Sequence, residues 1–194
     1  MSAATNNNVI YTNKNDSLEW SVLYTNNENK LYKALLHDSD NGVAESLLLM
    51  ISKRLSRRFS TENAIEIIKN KWGDVFQDEL IWYDGSGISR YNMFTPRTII
   101  QVLKLIRKEI KWPKIQQLFP KSGQSGTLLG YPNLKNIYAK TGTLRNNHNL
   151  SGFFKTSKGE VLTFSVMVNH FNSSTNEIRN GITEIVNKIK KKLD

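Results

Sequence analysis

Three apolar segments in a row near the C-terminal end restrict the fold of this chain more than any other feature. Residues 137–140, 150–154 and 161–168 each read as a strand, and short polar stretches separate them. Short turns of that kind favour antiparallel neighbours, because parallel strands need a longer crossover. A capped helix is expected next. Ser174 and Glu177 form a capping box, and Ile178, Ile182, Ile185, Ile189 and Leu193 fall on one expected apolar face. Helical spacing dominates the chain before the strands. The expected fold class is therefore α/β of the α+β type, an antiparallel sheet with helices packed on it.

The earlier elements follow from the same periodicities. Residues 1–8, ending Asn6-Asn7-Asn8, read as a disordered lead. Leu18, Trp20, Val22 and Tyr24 alternate as in a strand, and Leu31, Ala34 and Leu35 switch to helical spacing, ending near His37-Asp38. A second helix should follow Asn41 and bury Val43, Leu47, Leu48, Ile51 and Leu55. A third should run from about Glu62 to Trp72 on Ile65 and Ile68. Leu80 to Tyr83 reads as a short strand closed by the turn Asp84-Gly85-Ser86-Gly87. Thr95-Pro96 is a helix start, a capping hydroxyl followed by proline, for a helix carrying Ile99, Val102, Leu103 and Ile106. Residues 120–135 contain Gly, Ser and Pro and read as loop.

Composition removes several classes of function. With 39% apolar and 10% aromatic residues the chain is globular, and 194 residues suit one domain. No apolar run reaches the roughly 18 residues of a membrane span, and no secretory signal is read after Met1. The absence of cysteine excludes disulfides and thiolate metal sites. Neither His-Glu-x-x-His nor a P-loop is present, and no metal or cofactor is expected. The net charge of +10 collects in Lys53-Arg54 with Arg57-Arg58, and in Lys188 with Lys190-Lys191-Lys192. Without an aromatic stacking platform these read as solvated helix faces and helix-end cations, not as a nucleic-acid site.

Two tripeptides carry the chemistry: Ser39-Asp40-Asn41 and, about a hundred residues on, Lys140-Thr141-Gly142. A given tripeptide arises by chance about 2% of the time in a chain of this length. Alone, the first is a helix N-cap cluster, and the second is turn chemistry in which Gly142 supplies a positive φ. Together and in order they match two of the three signatures of active-site serine enzymes that bind penicillin. The third, Ser-x-x-Lys, is missing, since no serine here has lysine three residues later.

The flanks extend the match. Asp84-Gly85-Ser86-Gly87-Ile88-Ser89-Arg90-Tyr91-Asn92, with Thr95-Pro96 after it, resembles a segment of the class C low-molecular-mass penicillin-binding proteins. These are D-alanyl-D-alanine carboxypeptidase/endopeptidases. Ser39 to Glu45 resembles their second signature and helix, and Ile137 to Leu144, followed by Asn149-Leu150-Ser151-Gly152-Phe153, their third signature and next strand. The likeness covers roughly residues 28 to 172 and implies a β-lactamase/transpeptidase-like fold, incomplete at its N-terminal side. On this reading residues 9–194 are the C-terminal portion of the catalytic domain.

The resemblance implies a serine acyl-enzyme mechanism on peptidoglycan stem peptides, with β-lactams at the same site. Ser39 would relay a proton to the leaving amine, Asn41 would hold the peptide amide, and Lys140 would supply positive charge. Asp40 belongs to the substrate-binding set. Thr141 would offer a hydroxyl to the substrate carboxylate, Gly142 would let substrate approach the strand edge, and the Thr143 N–H would be half of an oxyanion hole. The family works outside the cytoplasmic membrane of bacteria. Lacking the nucleophile segment, the chain by itself is expected to be inactive. The alternatives are a non-catalytic relative that binds peptidoglycan peptide and a class A β-lactamase-like protein, although the latter's Glu-x-x-Leu-Asn is absent. His37, His148 and His170 could serve a Ser-His-Asp triad, but there is no Gly-x-Ser-x-Gly elbow.

Overall fold

The computed structural model describes residues 28–194. The expected lead 1–8 and the strand expected over Leu18 to Tyr24 lie outside the described residues. Helix α1 (Glu28–His37) is followed by α2 (Asn41–Ser56) and α3 (Thr61–Trp72), then by a long loop to α4 (Pro96–Glu109) and α5 (Trp112–Leu118). Strands β1 (Ile137–Leu144), β2 (Asn147–Lys155) and β3 (Val161–Asn169) form one sheet in the order β1-β2-β3, and α6 (Thr175–Leu193) closes the chain. Both strand pairs are antiparallel, and Lys140 pairs with Ser151 and Thr143 with His148.

Alternation along the strands feeds two cores, one on each face of the sheet. On one face Leu103 of α4, Ile115 and Leu118 of α5, and Phe119 pack on Tyr138 and Phe153. Edge-to-face rings stiffen this layer: Trp112 meets Tyr138 at 5.3 Å and Phe119 meets Phe153 at 5.2 Å. On the other face Ile182 and Val186 of α6 join Leu128, Tyr131 and Leu134 against Ile137, Ala139, Leu150 and Phe154. Gly152 is required where the strands meet, because a Cβ there would lie 2.2 Å from the Tyr138 carbonyl oxygen. Away from the sheet, α2 and α3 share a small cluster of Leu48, Ala64 and Ile65.

The helices start where their capping chemistry places them. Asp40, Ser60, Thr95 and Ser174 each accept a hydrogen bond from a first-turn N–H, and Ser174 and Glu177 form the full reciprocal box.

Several expectations need correction. The segment Leu80 to Tyr83 is not a strand; Ile81 makes a single bridge with Met93. Helix α5, absent from the sequence reading, is only 7 residues long, too short for periodicity to register. Helix α6 is rotated from its expected face. Ile182 and Val186 are buried, whereas Ile185, Ile189 and Leu193 are exposed. In α2, Ala44, Leu48 and Ser52 are buried and Leu55 is exposed. Residues 120–135 are largely loop, with a 3-10 turn at Gly126–Gly130, yet Leu128, Tyr131 and Leu134 anchor a core. Lys140-Thr141-Gly142 lies within β1, and the turn falls at Asn146, φ 66°.

Candidate active site

The connection between α1 and α2 presents Ser39-Asp40-Asn41. Ser39 has φ 56°, in the left-handed region that non-glycine residues seldom occupy. Its neighbour holds it there. The Asp40 N–H donates to the Ala34 carbonyl at 3.1 Å, and Asp40 Oδ1 accepts from the Val43 N–H at 3.0 Å. Gly126 backs the turn, since a Cβ on it would lie 2.6 Å from the His37 carbonyl oxygen. Asn41 is exposed at the start of α2.

One turn further along α2, Glu45 fixes the Asp84-Gly85-Ser86-Gly87 loop. Its carboxylate accepts from the N–H of Gly85 at 3.1 Å and of Ser86 at 2.9 Å. Burial by itself would raise the Glu45 pKa, but bonds from the Ser86 side chain and from these N–H groups hold it below the ordinary value. Gly85 presses directly on α2, where an added Cβ would stand 2.7 Å from the Ala44 carbonyl oxygen. Asp84 organises the rest of the loop, accepting from Gly87 N–H at 2.7 Å, Ser89 N–H at 2.6 Å and Asn92 Nδ2 at 2.7 Å.

Strand β1 presents the other tripeptide at an edge of the sheet. Residues 120–122 cover that edge only as far as Ala139, whose N–H donates to the Pro120 carbonyl at 3.2 Å. Main-chain groups alternate in direction along a strand, so the N–H and C=O of Thr141 and Thr143 also face away from β2. Lys140 Nζ donates to Ser39 Oγ at 2.7 Å and to the Thr141 carbonyl at 2.8 Å. Burial lowers the Lys140 pKa. An anion placed against it would favour the charged form.

Beneath Thr143 runs a buried polar chain. Thr143 Oγ1 lies 2.7 Å from Nδ1 of His148, and His148 Nε2 lies 2.6 Å from the Tyr131 hydroxyl. His148 and Tyr131 are shut away from solvent. Burial, aided by the Arg179 charge, depresses the His148 pKa to about 4, while burial pushes Tyr131 up to about 12. An open cleft of about 800 Å³ begins at Thr143 and Leu144 and extends to Arg145, Phe171 and Ser174.

The structure therefore joins Ser39 to Lys140 and sets Thr141, Gly142 and Thr143 along one strand edge. Asp40 is occupied in capping α2. Sequence reasoning passed over Glu45 and Tyr131, and weighed His148 only for a Ser-His-Asp triad, whereas it bonds Tyr131 and Thr143. Glu45 lies one helical turn beyond Asn41, a spacing that puts both on the same face of α2. The strand pairing of His148 with Thr143 has no signal in the sequence.

Comparison with known proteins bears on this geometry. Residues 24–189 match the D-Ala-D-Ala carboxypeptidase 3 (S13) family. The chain is 32% identical over 153 residues to the D-alanyl-D-alanine carboxypeptidase DacB of Haemophilus influenzae, covering 74% of this chain and 32% of that protein. It resembles the crystal structure of penicillin binding protein 4 from the same organism, complexed with a β-lactam. The TM-score there is 0.73 at 28% identity, over 83% of this chain and 41% of that one. An extended-spectrum β-lactamase shares the fold, with a TM-score of 0.62 at 18% identity, over 85% of this chain and 63% of that one. The fold is thus of the β-lactamase/transpeptidase type. The chain spans about a third of the length of the curated relatives it matches.

Proposed function

Because the chain belongs to the D-Ala-D-Ala carboxypeptidase 3 (S13) family, we propose that it carries the proton-relay and substrate-gripping side of a serine peptidase site for peptidoglycan stem peptides and β-lactams, outside the bacterial cytoplasmic membrane. The observation that carries this reading is the 2.7 Å bond from Lys140 Nζ to Ser39 Oγ, which joins residues 101 positions apart. A cation donating to the serine oxygen leaves the Ser39 proton free to be given to a leaving amine. It also lowers the cost of passing that proton on.

The exposed edge of β1 suits an extended peptide added as a further strand. Its outward N–H at Thr143 donates to the developing oxyanion, and the Thr141 hydroxyl and Lys140 meet the terminal carboxylate. Asn41, at the start of α2, holds the peptide amide. These 194 residues contain no Ser-x-x-Lys, so the chain by itself forms no acyl-enzyme.

The test is equilibrium binding of an acetylated D-Ala-D-Ala peptide. Binding is expected to be lost on Lys140→Ala, and to weaken as pH rises through a Lys140 pKa below the ordinary lysine value of 10.5. Equal binding by the Lys140→Ala variant would sink the proposal. A denaturation-resistant adduct with fluorescent penicillin would show that a nucleophile had been overlooked.

A further inference from the structure

The hydrogen bonds around His148 are directional, and counting protons settles their direction. His148 is buried and neutral, so one ring nitrogen donates and the other accepts. In one arrangement the Thr143 hydroxyl donates to Nδ1, Nε2–H donates to Tyr131, and the Tyr131 proton must find another acceptor. Among the described residues the Tyr131 hydroxyl has His148 as its hydrogen-bond partner and no other. That arrangement leaves a buried donor unmet, which carries the full desolvation penalty of the group.

In the opposite arrangement Tyr131 O–H donates to Nε2, and Nδ1–H donates to Thr143 Oγ1. The only proton left over is that of the Thr143 hydroxyl, and Thr143 is exposed at the edge of β1. Within the Tyr131–His148–Thr143 chain each buried donor then has an acceptor. The nearby Arg179 guanidinium, 5.9 Å from the Tyr131 ring centroid, disfavours any second proton on the imidazole.

We propose that His148, pinned by Tyr131, is a positioning residue that occupies a Thr143 oxygen lone pair and so commits the Thr143 hydroxyl to donate outward, to an anionic group of the ligand. The ligand class is a peptide ending in a free carboxylate, and this step rests on the function proposed above. Unlike a solvated hydroxyl, Thr143 has one of its two lone pairs already filled and its proton turned away from His148, so it is biased toward donating. The site then favours a carboxylate over a neutral amide at that place.

The experiment has two arms. Long-range proton–nitrogen correlation on the nitrogen-15-labelled chain at neutral pH reads the imidazole tautomer directly. A proton on Nδ1 is expected, and a proton on Nε2 overturns the inference whatever the protein binds. The second arm measures affinity for an acetylated D-Ala-D-Ala peptide and for its C-terminal amide. His148→Phe is expected to cut the preference for acid over amide several-fold, to roughly a third or less, because the freed Thr143 hydroxyl can then accept from the amide as readily as donate to the carboxylate. His148→Asn, whose side-chain amide donates near the position of Nδ1, is expected to keep it. A folded His148→Phe variant with unchanged preference overturns the inference. If the unaltered chain binds neither peptide, the proposed function fails, and the tautomer still decides the hydrogen-bond direction.

Discussion

Lys140 stands on a strand with a packed core on both faces, whereas Ser39, its partner at 2.7 Å, stands on a helix connection between the exposed Asp38 and Asp40. The strand side is fixed by long-range burial: Leu150, Phe153, Tyr131 and His148 are almost wholly inaccessible. The helix side is held by a few hydrogen bonds, local through Asp40 and to the Gly85-Ser86 loop through Glu45, and by a backbone angle of 56° at Ser39. Burial resists local opening up to the free energy of global unfolding, while surface hydrogen bonds open at much lower cost. One half of the site is therefore a rigid reference. The other is the half that adjusts.

The largest effect should come from damage to the reference. Gly152→Ala places a Cβ 2.2 Å from the Tyr138 carbonyl oxygen and 2.5 Å from the Ala139 Cβ, so β1 and β2 must part. Overpacking of this severity costs about 3 kcal/mol or more. Denaturant titration is expected to show the whole molecule destabilised, with both tripeptides losing protection together. Normal stability in this variant would mean that the sheet is not the rigid element.

Acid tests the same side without a mutation. An unfolded histidine takes up its proton near 6.5, but folded His148 resists until about 4. As pH falls across that window the unfolded state binds the extra proton, so stability present above 6.5 is progressively lost. At ~1.4 kcal/mol per pH unit the loss approaches about 3 kcal/mol by pH 4. His148→Asn should flatten this part of the stability profile. If the slope between pH 6.5 and 4 is unchanged, His148 is not the group responsible.

On the helix side the effects should be smaller and local. Gly126→Ala combines a φ of 54° with a Cβ 2.6 Å from the His37 carbonyl oxygen. The left-handed angle alone costs about 1–2 kcal/mol, and relieving the contact displaces the turn that carries Ser39. Peptide affinity is expected to fall more than global stability does. Hydrogen exchange should rise in α1 and at the start of α2, and stay unchanged in β2.

How far each half could be read from sequence follows the same division. Local chemistry left local marks: the caps at Asp40, Thr95 and Ser174 and the antiparallel meander all stand where side-chain type and spacing put them. What depends on tertiary packing was misread. An apolar stripe on α6 contains both Ile182, which is buried, and Ile185, which is exposed, and only the angle at which the helix meets the sheet separates them. Leu80 to Tyr83 has the composition of a strand but finds a single bridge; Trp82 packs on the small cluster of α2 and α3, and Tyr83 is exposed. Within the site, the tripeptides themselves were legible. The support beneath them was not, because Tyr131, His148 and Arg179 come from a loop, a strand and a helix that meet only in the fold.

The smallest expected effect is also the one most specific to the adjustable half. Asp40→Ala removes the acceptor for the Val43 N–H but keeps the backbone bond from Asp40 N–H to Ala34. Loss of an N-cap costs about 1 kcal/mol, confined to the first turn of α2. Asn41 and Ser39 sit at that turn, so fraying should weaken peptide binding several-fold while the melting temperature moves by only a few degrees. Asp40→Asn retains a capping oxygen and is expected to restore most of the binding. If Asp40→Ala instead lowers stability as severely as Gly152→Ala, the α1–α2 turn is part of the cooperative core, and the division between a rigid strand and an adjustable turn would have to be abandoned.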